Sequence, residues 1–79
     1  MKESDIKIDK IYYGFVFGPF LVHITEINIL RDSRTILGGN AIWLDSMNVS
    51  YQSRWVNSQI DRLATEDEKK LFLMKTKVR

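Results

Sequence analysis

The stretch Phe20-Leu21-Val22-His23-Ile24-Thr25-Glu26-Ile27-Asn28-Ile29-Leu30 decides the fold. In a β-strand successive side chains point to opposite faces, so residues two apart share a face. Phe20, Val22 and Ile24 keep that period; the apolar positions then move to Ile27 and Ile29. A continuous strand changes parity in this way only by accommodating an extra residue, which places a bulge or sharp bend near Thr25-Glu26. Such bends carry one strand through both halves of a small barrel. The pattern predicts a mainly β fold: a small barrel of about five bent antiparallel strands rather than a flat sheet.

Upstream, Lys10–Phe17 reads as the preceding strand, with Ile11, Tyr13, Phe15 and Phe17 on one face and Tyr12, Gly14 and Val16 on the other. Gly14 inside it marks a bulge or a close backbone approach. Gly18-Pro19 is a turn signal. Residues 1–9 are polar, with Ile6 and Ile8 alternating against Lys7 and Asp9, and read as a ragged start or a short edge strand. Downstream, Arg31-Asp32-Ser33-Arg34 is a charged loop. Thr35-Ile36-Leu37 and Ala41-Ile42-Trp43-Leu44, separated by Gly38-Gly39-Asn40, predict a hairpin with a three-residue glycine turn. Asp45-Ser46-Met47-Asn48 reads as a further turn. Ser50–Val56 is the next strand, with Tyr51, Ser53 and Trp55 alternating against Gln52, Arg54 and Val56. In Asn57–Leu63 the anchors Ile60 and Leu63 have the spacing of a single 3₁₀ or α turn.

The chain ends on its one strong helix signal. Thr65-Glu66-Asp67-Glu68 is a capping box, in which Thr65 and Glu68 satisfy each other's free backbone N–H groups. Acids in the first turn and Lys75 and Lys77 near the last match the helix dipole. The predicted helix runs from 66 to about 76, with Leu71, Met74 and Val78 as a docking stripe and Phe72 beside it. One domain over 1–79 follows, the barrel covering about 6–64.

The pair Tyr12-Tyr13-Gly14-Phe15-Val16 and Gly18-Pro19-Phe20-Leu21-Val22 resembles the opening hairpin of an SH3-like small β-barrel. Arg54-Trp55-Val56, followed by Ile60 and Leu63, is similar to the end of that fold, where a strand runs into a 3₁₀ turn. The resemblance is one of pattern and covers about residues 6–64. It implies a binding module of the kind that includes peptide-binding signalling domains, nucleic-acid-associated barrels and small phage or mobile-element accessory proteins. The acidic loop with which the signalling members take proline-rich peptides has no counterpart here.

Composition excludes several function classes. Seventy-nine residues with 44% hydrophobic content support one thin core. The absence of cysteine removes disulfides and thiolate metal sites and suits the cytoplasm, or a host cytoplasm if the chain is viral. The longest apolar run, Ile11 to Val22, is broken by Gly14, Gly18 and Pro19 and is too short for a membrane span, so no membrane association is expected. No secretory leader is read at the charged start. A net charge of +2 is too weak for a dedicated nucleic-acid binder. The single histidine, His23, sits mid-strand without an evident nucleophile, so no catalytic set is expected and the chain reads as a non-enzyme. The acids lack metal-site spacing, and no cofactor or metal is implied.

Binding features remain. Nine aromatics exceed what a thin barrel buries, and alternation sets Tyr12 opposite the Ile11–Phe17 face. Tyr12, Trp43, Tyr51 and Trp55 with Arg54 are therefore the candidate aromatic patch, a mixture enriched at protein interfaces, although Trp43 and Trp55 also suit a barrel core. Arg31 and Arg34 share a loop and are candidate phosphate contacts. The leading expectation is a protein-interaction module, an accessory subunit or inhibitor of a larger protein, with homodimerisation as a way to bury surplus apolar surface. The alternative is a barrel that binds nucleic acid through exposed aromatics and arginines.

Overall fold

The computed structural model describes residues 2–76. Five antiparallel strands form one sheet: β1 (Ile11–Phe15), β2 (Pro19–Ile29), β3 (Thr35–Trp43), β4 (Val49–Val56) and β5 (Ile60–Leu63), in the spatial order β4-β3-β2-β1-β5. A 3₁₀ turn, Asn57–Gln59, joins β4 to β5, and helix α1 (Glu66–Thr76) closes the chain. This is the mainly β class with a C-terminal helix that the sequence predicts.

The parity change in β2 is real and has the predicted cause. Ile24 pairs with Gly39 and Glu26 pairs with Gly38, so Thr25 is the extra residue. Before it Phe20, Val22 and Ile24 point into the core; after it Ile27 does. A second irregularity falls between Tyr13 and Gly14 where β1 meets β5. A Cβ on Gly14 would collide with the Gln59 carbonyl and the Phe20 ring, so the close approach read there is present.

The sheet curls around its inner face. Tyr12 from β1, Phe20, Val22 and Ile24 from β2, Leu37 and Ala41 from β3, Trp55 from β4 and Ile60 from β5 form one buried cluster with Ile6. The rings of Phe20 and Trp55 stack with centroids 4.0 Å apart and planes 11° from parallel. They belong to strands separated by β3, which in a flat sheet lie about 9–10 Å apart. Only curvature brings them together. The outer face carries a second cluster of Ile11, Leu21, Ile42, Ala64 and Phe72, closed over by α1.

The helix starts as its capping box dictates. The Glu68 amide donates to Thr65 Oγ1 at 3.2 Å, and the Thr65 amide donates to Glu68 Oε1 at 2.8 Å. Its docking residue differs from the predicted stripe: Phe72 is buried, whereas Met74 is exposed and Leu71 half-buried. Val78 and Lys77 lie outside the described residues.

Three further expectations are corrected. Gly38-Gly39-Asn40 is no turn but the middle of a continuous β3, paired on both sides. The glycines serve contact rather than chain reversal: a Cβ on Gly39 would run into the His23 carbonyl, and neither takes a positive φ. Ile60–Leu63 is a strand rather than a helical turn, because the 3₁₀ turn ends at Gln59 and β5 then pairs with β1. The first strand stops at Phe15, and Val16, Phe17 and Gly18 make the β1–β2 turn.

Candidate functional site

Alternation along β1 places the two adjacent tyrosines on opposite faces, and the inner one is Tyr12. It is 1% exposed, its hydroxyl accepting the Lys7 amide at 2.7 Å, so the outward placement expected for it is corrected. β1 buries both faces at its start, Tyr12 in the inner cluster and Ile11 in the outer cluster under the helix. Trp55 is buried with its indole N–H unpartnered, and Trp43 is half-buried against it, with ring centroids 5.6 Å apart. Both belong with Phe20 to the aromatic centre on the inner face of the curved sheet. Tyr51 is exposed on the β4 irregularity, and Arg54 lies two strands from Glu26, which it bridges at 2.8 Å over Gly38. Arg31 and Arg34 are exposed in the β2–β3 turn, where Arg34 is held by Asp32 at 2.7 Å. That turn and Trp43 mark opposite ends of the nine-residue β3, roughly 25 Å apart. The expected single patch of aromatics and arginines does not form from these residues.

A different aromatic ridge does form, on the other face of β1. Ile11 is sealed under the helix, Tyr13 is half-buried, Phe15 is 57% exposed and Phe17, at the tip of the turn, is 101% exposed. The guanidinium of Arg62 lies 4.2 Å above the Tyr13 ring, a cation–π contact. Glu68 fixes that guanidinium through two hydrogen bonds, at 2.8 and 3.0 Å. The hydrogen bond from Arg62 is the chief reason the Glu68 carboxyl is held below its ordinary range, and the same bond raises the Arg62 guanidinium. The ridge thus leaves the core as a packed, braced surface and ends in an unpacked one.

The tip itself is unusual. Val16 donates its amide to the Gly18 carbonyl at 3.0 Å, closing a three-residue turn. Such turns use one residue in the left-handed region, normally glycine or asparagine. Phe17 occupies it, with φ of 60°, although a glycine is next in the chain. At Gly18 a Cβ would stand 3.0 Å from a carboxylate oxygen of the exposed Asp45 side chain in the neighbouring β3–β4 turn. The Leu44 amide, donating to the Pro19 carbonyl at 3.0 Å, locks the two turns together. The hairpin end is therefore anchored while its terminal ring is bare.

Alternation assigns Tyr13, Phe15 and Phe17 to one strand face but does not say that its far end is exposed. Phe17 lies beyond the strand, and only the closeness of Gly18-Pro19 hinted at that. Among the described residues no group of three potential metal ligands exists, and His23 pairs with Asp9 at 2.8 Å rather than with Glu26. No helix among them is long and apolar enough to cross a membrane. Comparison with protein-family profiles, curated proteins and solved structures finds no match to this chain.

Proposed function

We propose that this chain is a non-enzymatic protein-interaction module, of SH3-like barrel type, that docks onto a larger protein by inserting the tip of its β1–β2 hairpin into an apolar pocket. The observation that carries the reading is Phe17: a bulky residue in the left-handed region, with its whole side chain in water. A non-glycine residue there costs about 1–2 kcal/mol, and burying a phenylalanine in a partner returns roughly 1.5–3 kcal/mol. Phe15, Tyr13 and Arg62 around it are the aromatic and arginine types that concentrate binding energy at interfaces. The strand order, the bent β2 and the 3₁₀ turn before β5 support the barrel assignment. A cysteine-free chain suits a reducing compartment, and the cytoplasm is the proposed site of action.

The nucleic-acid reading receives less support. Arg34, Arg54 and Arg62 are each occupied by a carboxylate, which cancels the field a phosphate would need. The test compares the intact chain with Phe17→Gly, immobilised in nuclease-treated lysate of its own cells. Glycine accepts the same φ, so the variant folds. A protein retained by the intact chain and lost with Phe17→Gly supports the reading. Retention unaffected by the substitution, or capture that nuclease abolishes and salt steeply weakens, sinks it.

A further inference from the structure

Two irregularities in strands on either side of β3 meet at the same place. In β2 Thr25 is the extra residue beside Gly39; in β4 Tyr51 and Gln52 together stand opposite Asn40, between the pairs Gly39–Ser53 and Ala41–Ser50. Bulges bend strands and re-aim side chains, and they concentrate beside functional sites. Here they dish the sheet into a cavity of about 320 Å³, lined by Thr25, Glu26, Gly39, Asn40, Gln52 and Arg54. That volume is at the small end for ligand sites, enough for one ring. The site is distinct from the hairpin tip, and its lining is mostly polar.

The geometry points to a binding site for a neutral ring bearing two hydroxyls on adjacent carbons, as in a sugar or the ribose of a nucleoside. Arg54 Nη1 donates to Glu26 Oε1 at 2.8 Å, and Asn28 Nδ2 donates to Glu26 Oε2 at 2.8 Å. The Asn28 hydrogen bond first, and then the Arg54 charge, hold the Glu26 carboxyl below its ordinary value, so it is ionised at neutral pH. The pair is neutral as a whole yet keeps spare acceptor sites on the carboxylate and spare N–H donors on the guanidinium. Asn40 Oδ1 accepts the Gln52 amide at 3.1 Å, which leaves the Asn40 NH₂ as the free donor. The Gln52 side chain adds an amide that both donates and accepts.

A rim that alternates acceptor and donor at close spacing suits a group that does both. Each hydroxyl of a vicinal pair donates to Glu26 or accepts from Arg54 and Asn40 without separating the ion pair. A zwitterion would have to break that pair, a phosphate would meet the Glu26 charge, and an apolar ring would meet a mostly polar wall.

The test is an amide chemical-shift titration of the full chain with methyl glucopyranoside, adenosine and 2′-deoxyadenosine as separate probes. Saturable shifts at Gly39, Asn40 and Gln52 are expected with a dissociation constant on the order of 1 mM. Response to the glucoside alone assigns a sugar, to adenosine alone a ribose, and to both the diol itself. Asn40→Asp keeps the acceptor for the Gln52 amide but deletes the donor. Gln52→Gly removes the side chain at a φ of 55° that glycine accepts. Each variant is expected to weaken binding about tenfold or more. No saturable shift with either diol, equal shifts with 2′-deoxyadenosine, or full binding in both folded variants would overturn the site.

Discussion

Phe17 and Gly18 sit side by side in a turn that needs one left-handed residue, and the phenylalanine rather than the glycine takes that role. The division has a measurable consequence. Phe17→Gly is expected to leave thermal and urea stability unchanged or to raise it by up to about 1 kcal/mol, since it relieves backbone strain and removes no packed contact. A clear loss of stability would mean that the ring packs in the folded protein. Gly39 is the opposite case. Its Cβ would enter the His23 carbonyl, so Gly39→Ala is expected to cost at least about 2 kcal/mol in urea denaturation. Both glycines of the Gly38-Gly39 pair look like turn residues in a sequence, because composition does not separate a chain reversal from a close approach. Tyr12 misleads for a similar reason: alternation gives two faces but not which of them is the core.

Among the elements, β2 and α1 were the most legible, each for a local reason. The parity change in β2 is written into five apolar side chains, and the capping box of α1 into two residues that bond each other. β5 was the least legible, since four residues whose partner strand lies 46 or more positions upstream leave no local signature. Glu68 ties the helix start to β5, capping Thr65 and gripping Arg62 at once. Its folded pKa lies below the ordinary 4.5, as does that of Glu26. Carboxyls depressed on folding add stability that is complete above their unfolded pKa and is lost as pH falls through the folded values. Urea stability is therefore expected to hold near neutrality and to decline in acid below the ordinary value. Glu68→Gln should lower neutral-pH stability by about 0.5–1 kcal/mol, the modest worth of a partly exposed pair, and make the acid decline shallower. An unchanged acid profile in that variant would remove the coupling. Phe72→Ala, which uncovers the outer cluster, is expected to cost about 3–5 kcal/mol.

At the scale of the whole molecule, curvature separates the aromatic rings that pack from those left exposed. Wrapping the sheet brings Phe20, Trp43 and Trp55 into one aromatic centre, so the tryptophans stabilise the curved sheet instead of forming a surface. Trp55→Ala is expected to remove about 3–5 kcal/mol, enough to unfold much of a domain this small. The aromatic excess visible in the composition does leave rings exposed, at Phe15, Phe17 and Tyr51, but which rings these would be was not legible. It depends on where α1 stops covering the outer face, which is a tertiary fact. What lies beyond that cover is the ridge from Tyr13 to Phe17. The most direct test is to place a photo-crosslinking phenylalanine analogue at position 17, and for contrast at exposed position 51, and to irradiate the living cells. A discrete protein adduct from position 17 and none from position 51 is the expected result. No adduct from position 17, or one made of nucleic acid, would contradict docking through the hairpin tip.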